Sequence, residues 1–345
     1  MTDDFLCIHG DLPYVRKAIR CLSTIVEPTM LYQLFHQDCL DWLRTQPENS
    51  IHAVCTDPPY GLIEFSPREL EKLRAGRGGI WRLPPKMNGS QRAPLPRFTV
   101  LTSEQQKTLA EFFALWGAEV LRVLVPGGHV VIAGHPILQH HVQGAMAQAG
   151  FEVRGAIMRL YQGFRGGDRP KNAEQEFPDV CVTPKGNYEP WMLFRKPISE
   201  ETVAANLRKW KTGGLRRLAE SKPFPEVILS GKTPKIEEQI ADHPCLKPQH
   251  FLRILVRSLL PLGEGVVVDP FMGSGSTIAA AASIGYKSIG IELDKEYYRL
   301  ANEAIPRLAK LYSDFTGDVL ERPVADYEVS RSEKSQLAFS WTAKS

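Results

Sequence analysis

One stretch constrains this chain more than any other. It runs Val266-Val267-Val268-Asp269-Pro270-Phe271-Met272-Gly273-Ser274-Gly275-Ser276-Thr277, continues through an alanine-rich segment, and ends in Ile289-Gly290-Ile291-Glu292-Leu293-Asp294. Three consecutive valines read as a buried strand, the glycines as a turn, the alanines as a helix and the second apolar run as another strand. Strand, glycine turn, helix and strand form a βαβ unit. Such a unit commits its domain to an α/β fold, because the crossover helix must cover a parallel sheet. The other reading of the turn is one that merely lets a helix pack closely in any α/β protein.

The rest of the chain keeps the alternation. Apolar runs at 31–35, 51–56, 129–133, 153–158, 191–194, 266–268 and 288–291 predict a sheet of seven strands. A capping-box pattern, Ser103-Glu104-Gln105-Gln106, opens a helix that passes Phe112, Phe113, Leu115, Trp116 and Leu121 and stops before Pro126-Gly127-Gly128. A second helix runs from about Gln249 through Phe251, Ile254, Leu255 and Leu259 to near Pro261, and a third follows Asp294 as N-cap. Residues 61–100 and 160–240 break the alternation with glycine, proline and basic residues. The first reads as a basic mobile loop. The second reads as a separate recognition region with one helix at 200–210. The catalytic half is then 30–60 with 101–159 and the cofactor-binding half 241–312, while 1–29 and 313–345 are peripheral extensions. Met30 lies directly before the first strand, where an alternative start would fall.

The net charge of +3 conceals an uneven distribution. Residues 61–100 carry +5 and 154–235 carry +7, which leaves −9 on the remainder. Two basic segments on an acidic body fit a polyanion binder; the alternative is lysine and arginine that only solubilise long loops. Six cysteines with no Cys-x-x-Cys pair read as reduced thiols, and nine histidines without a ligand spacing predict no metal. The acidic start Met1-Thr2-Asp3-Asp4 and the lack of a long apolar run predict a cytoplasmic protein with no membrane segment.

A second motif, Asp57-Pro58-Pro59-Tyr60-Gly61, follows the strand at 51–56, at the carboxyl end where open α/β sheets place ligands. Two prolines stiffen the backbone and remove two N–H donors, so their carbonyls and the Asp57 carboxylate present acceptors only. That surface suits an exocyclic amino group, whose lone pair is freed for attack when its hydrogens are accepted. Tyr60 offers a flat face for a base rotated out of a duplex. The plainer alternative is a Pro-Pro turn closing a strand, with Tyr60 in the core.

The ligand of the glycine turn can be narrowed. A nicotinamide dinucleotide fingerprint would place Gly or Ala three residues after Gly275, where Ile278 stands. A turn with Ser274, Ser276 and Thr277 suits a ligand without pyrophosphate, Asp269 suits a cationic amino group, and Glu292, 17 residues beyond Gly275, is placed for both ribose hydroxyls. S-adenosyl-L-methionine meets all three conditions.

Taken together, the two motifs resemble those of the DNA amino-methyltransferases that modify adenine N6 or cytosine N4, in the permuted group whose Asp-Pro-Pro-Tyr precedes the glycine motif. The resemblance covers about residues 30–310. It implies a Rossmann-like S-adenosylmethionine-dependent sheet with an inserted DNA-recognition region, and Asp57, Pro58, Pro59 and Tyr60 as the catalytic element. His36-Gln37-Asp38-Cys39-Leu40 resembles the family's Gly-Asp-Cys element, which implies that Asp38 and Cys39 meet the cofactor's adenine end. His243-Pro244-Cys245-Leu246-Lys247-Pro248 resembles its His-Pro-Thr-x-Lys-Pro element, which implies that His243, Lys247 and Pro248 meet the methionine portion, with Cys245 in place of Thr. Asp57, Asp269, Pro270, Phe271, Gly273, Ser274, Gly275, Ser276, Thr277, Glu292, Leu293 and Asp294 complete the expected cofactor site. Tyr188-Glu189-Pro190-Trp191 and Thr212-Gly213-Gly214 resemble a stretch near the target-recognition region of phage and prophage members.

Double-stranded DNA is the expected substrate, with Arg77, Arg82, Arg92, Arg97, Phe164, Arg165, Arg169, Lys209, Lys211, Arg216 and Arg217 as candidate contacts. The resemblance favours adenine over cytosine because Asp opens the first motif, and it implies a homodimer and a cognate restriction enzyme as candidate partners. Two other functions stand beside it. Pro244-Cys245 suggests cytosine C5 attack by a thiolate, but its Glu-Asn-Val partner is missing. A catalytically silent DNA-binding subunit would use the same fold.

Overall fold

The computed structural model describes residues 31–59, 86–87, 90–91, 101–161, 167, 169–243 and 245–312. In chain order the elements are β1 (Tyr32–His36), α1 (Cys39–Thr45), β2 (Ile51–Thr56), β3 (Lys86–Met87), β4 (Ser90–Gln91), α2 (Ser103–Val123), β5 (Leu124–Ala133), α3 (Gln139–Gln148), β6 (Glu152–Leu160), β7 (Tyr188–Arg195), α4 (Val203–Trp210), β8 (Val227–Leu229), α5 (Lys235–Ile240), α6 (Gln249–Leu259), β9 (Val266–Asp269), α7 (Ser276–Ser283), β10 (Lys287–Glu292) and α8 (Lys295–Lys310). Eight of the strands form one sheet in the order β1-β10-β9-β2-β5-β7-β6-β8, and β3 pairs with β4. From β1 to β5 all neighbours are parallel, β7 runs antiparallel to both β5 and β6, and β8 is parallel to β6.

Side chains alternate across this sheet with the period of two that a pleated strand imposes. Val54, Val130, Ile132, Met192, Phe194 and Val268 turn to one face and pack under α1, α2 and α3 with Trp42, Phe113 and Trp116. Ala53, Cys55, Val131, Ala133, Trp191, Leu193 and Val267 turn to the other, against Phe251, Leu252 and Leu255 of α6. A third cluster joins Met272, Ile278, Ala301 and Ile305 beneath α7 and α8. The central strands are therefore buried on both faces, which is why they are continuous apolar runs.

All seven expected strands are present, and β8 is an eighth. The capping box lies one residue earlier than expected: Thr102 is the N-cap, its hydroxyl accepts from Gln105 N, and the Gln105 side chain accepts from Thr102 N. The region read over 160–240 contributes two strands to the main sheet. β7 sits inside the sheet between β5 and β6, and β8 closes its edge. Among the described residues no helix is long and apolar enough to cross a membrane, and no group of three or more His, Cys, Asp or Glu could hold a metal ion.

Candidate active site

The chain turns to opposite sides at the centre of the sheet, from β9 to β10 on one side and from β2 to β5 on the other. In open α/β sheets the crevice beyond the carboxyl ends of such a strand pair receives the ligand. Asp269 ends β9, and Asp57 directly follows β2. The motifs lie 212 residues apart in sequence and meet here, where Thr56 Oγ1 donates to Asp269 Oδ1 at 2.7 Å.

Asp269 is 2% exposed and also accepts from Phe271 N at 3.1 Å. Burial drives its ionisation up to about 7, against hydrogen bonds from Thr56 and Thr277 that favour the charged form. At the end of β10, Glu292 accepts from Gly273 N through Oε2 and from Asp294 N through Oε1, both at 2.8 Å, and burial raises its pKa as well. β1 pairs with β10 so that His36 faces Glu292, which brings Asp38 to the same end. Asp38 caps α1 through Oδ1, accepting from Leu40 N and Asp41 N. Leu293 is 67% exposed directly beyond β10, and Asp294 N-caps α8.

His243 lies against the glycine turn, and its ring meets the edge of Tyr297 at 4.4 Å. Burial, with the Lys247 charge, drives its pKa down to about 4, so the ring is neutral. Cys245 N donates to Nδ1, which places the proton on Nε2, the nitrogen nearest Gly273. Lys247 is buried, and its ammonium pairs with Asp57 Oδ2 and with Glu189 Oε1 at 3.3 Å. Burial alone would lower the Lys247 pKa; the two carboxylates outweigh it and hold the ammonium charged. Pro58 is buried, and Pro248 N-caps α6.

Several expected roles change. Cys39 packs its side chain into the hydrophobic core, and burial pushes its thiol up to about 12. Gly275 is also required by packing: at φ +84° a Cβ would lie 2.4 Å from Ile305 Cγ1 of α8. Phe271 packs on Phe112 and Trp116, and Pro270, Ser274, Ser276 and Thr277 are buried in the turn. Tyr60, Arg77, Arg82, Arg92, Arg97, Phe164 and Arg165 lie outside the described residues. Arg169 donates to Pro178 O.

Lys209, Lys211, Arg216 and Arg217, the candidate DNA contacts of this segment, lie away from the crevice that holds Asp57 and Asp269. Thr212 Oγ1 donates to Pro126 O near the start of β5, Arg195 at the end of reversed β7 donates to Gly213 O, and Arg216 donates to the hydroxyl of Tyr286, just before β10. This group stands at the amino end of the parallel strands, about 20 Å of strand length from Asp57. Lys209 is paired with Glu200. The sequence pointed to no role for Arg159, and Glu189 entered only as part of the Tyr188-Glu189-Pro190-Trp191 stretch. Their signal was a charge within or abutting an apolar run, Ala156-Ile157-Met158-Arg159-Leu160 and Glu189-Pro190-Trp191.

Fold and crevice together define a Rossmann-like methyltransferase domain. The N6/N4 DNA methylase family matches residues 51–303, and the chain belongs to it. Among curated relatives it is 33% identical over 275 residues to the type II methyltransferase M2.LlaDCHI of Lactococcus lactis subsp. cremoris, covering 79% of this chain and 88% of that protein. It is 25% identical over 295 residues to the type II methyltransferase M.HindIII of Haemophilus influenzae, covering 79% and 94%. Of solved structures, the cytosine-N4-specific PvuII DNA methyltransferase shares the fold with a TM-score of 0.51 at 17% identity, covering 83% of this chain and 89% of that one.

Proposed function

We propose that this DNA methylase transfers a methyl group from S-adenosylmethionine to the exocyclic amino group of a base flipped out of double-stranded DNA, with adenine N6 as the favoured target. The observation that carries the reading is the meeting of the Asp57 element and the glycine turn in one crevice, joined by the Thr56–Asp269 hydrogen bond.

The residues present fit the cofactor. Asp269 is a buried carboxylate whose ionisation a cationic amino group would favour, Glu292 ends β10 as a carboxylate of the kind that accepts from ribose hydroxyls, and the Nε2–H of His243 is turned to the glycine turn. S-adenosylmethionine, when bound, supplies a sulfonium methyl whose sulfur keeps the bonding pair. Asp57 and the Pro58 carbonyl accept the amino hydrogens and so direct the nitrogen lone pair at the methyl carbon. The proton that the methylated nitrogen sheds passes to Asp57 and on to water. Pro58 and Pro59 keep this acceptor surface rigid, and Tyr60 stacks on the base.

Cytosine N4 is the runner-up, since its amino group presents the same hydrogens. The preference for adenine rests on the Asp that opens the motif. A silent subunit would need no buried Asp57–Lys247 pair beside the glycine turn, and the presence of both favours an active enzyme. A homodimer and a cognate restriction enzyme belong to this reading through the order of the motifs alone. Labelled methyl transfer to unmodified mixed-sequence DNA, followed by digestion to nucleosides and mass measurement, tests it: N6-methyladenine is expected, N4-methylcytosine selects the runner-up, and no transfer refutes it.

A further inference from the structure

We propose that Glu189 is a positioning residue of the methyl-transfer site: by sharing the Lys247 ammonium it keeps that cation from neutralising Asp57, which then retains its strength as acceptor for the target amino group. The inference rests on the methyltransferase reading above.

β7 runs antiparallel to β5, so its first residues stand at the same end of the sheet as the carboxyl ends of the parallel strands. Glu189 is opposite Arg159 in the β6–β7 register, a pairing that holds the two side chains side by side. Arg159 donates to Glu189 Oε2 at 3.0 Å, and Trp191 Nε1 donates to the same oxygen at 3.1 Å. Arg159 is itself tied to Ser230 Oγ at 2.9 Å and Gly231 O at 3.1 Å, with its guanidinium over the rings of Tyr161 and Phe251. These contacts orient Glu189 and leave Oε1 to meet Lys247 at 3.3 Å.

The result is a row of alternating charge, Asp57, Lys247, Glu189 and Arg159, with both cations buried and both carboxylates partly buried. The row is neutral overall, the condition under which burial tolerates ions. Without Glu189 the full Lys247 charge falls on Asp57, and a carboxylate saturated by an ammonium accepts hydrogens from an amino group less strongly.

The test is steady-state methyl transfer from tritiated S-adenosylmethionine to unmodified genomic DNA by the full chain. Glu189→Gln is expected to lower kcat tenfold or more while KM for S-adenosylmethionine moves less than threefold. Glu189→Asp, which keeps the charge, is expected to recover much of that loss. A Gln variant with kcat within twofold of wild type, a loss confined to KM, or an Asp variant no better than Gln overturns the proposal. If circular dichroism shows the Gln variant unfolded, Arg159→Lys takes its place: it loosens Glu189 and should lower kcat with KM held, and an unchanged kcat overturns the proposal. Absence of transfer by the wild type is a different result, because it removes the methyltransferase reading itself.

Discussion

Replacing Asp269 by Asn separates the burial of this carboxylate from everything else in the crevice. Its pKa is 3.8 when unperturbed and about 7 in the folded chain. At 1.36 kcal/mol per pH unit, keeping it ionised in the fold costs on the order of 4 kcal/mol. Between pH 4 and 7 the unfolded chain has lost this proton while the folded chain still holds it. Stability from this group therefore falls as pH rises through that window, and is flat above it. Between pH 5 and pH 8 the fall is about 2–3 kcal/mol by the same linkage. Asn keeps the shape and can still accept from Thr56 and Phe271, but it has no proton to lose. Urea unfolding of both proteins at pH 5 and pH 8 checks this: the difference in stability, variant minus wild type, should be larger at pH 8 by that amount. Parallel pH dependences would refute the reasoning. Histidines held neutral by burial, such as His129 with its pKa near 3, act in the opposite sense and cancel in the comparison.

Further consequences follow from other contacts. Gly275→Ala forces a Cβ to 2.4 Å from Ile305 at φ +84°; strain and overpacking together should cost about 2–4 kcal/mol in urea unfolding, and a change under 0.5 kcal/mol would contradict the packing role. Lys209→Ala with Arg217→Ala removes two charges from the amino end of the sheet, so DNA affinity and its salt slope, read by fluorescence anisotropy, should stay unchanged; a slope lower by about 2 would return these residues to the DNA interface.

Much of this molecule is readable from its residues because the central sheet is buried on both faces, and runs such as Ile51–Thr56 must then be apolar throughout. β8 escaped because three residues give too short a signal, whereas the apolar core of β7 at 191–194 could be read although the segment before it is rich in glycine and proline. The Asp57 and Asp269 elements could be found through local backbone requirements, a stiff acceptor surface and a glycine turn. Glu189 and Arg159 could not be assigned in the same way, since their roles come from a cross-strand register between segments 30 residues apart and from Lys247, which lies farther along the chain. The basic cluster at 208–217 shows a different limit. Charge density suggested DNA, but only the course of the backbone places those side chains at the amino end of the sheet.

Asp57→Asn tests the account at its centre. The variant keeps the side chain's shape and one acceptor oxygen but loses the charge that draws on the amino hydrogens. With tritiated S-adenosylmethionine and unmodified mixed-sequence DNA, methyl transfer should fall by a factor of about 100 or more, the scale for losing one preorganised electrostatic contact. Cofactor binding by calorimetry should remain within a few-fold of wild type. Turnover near the wild-type rate would contradict the assignment of Asp57 as the group that activates the target nitrogen.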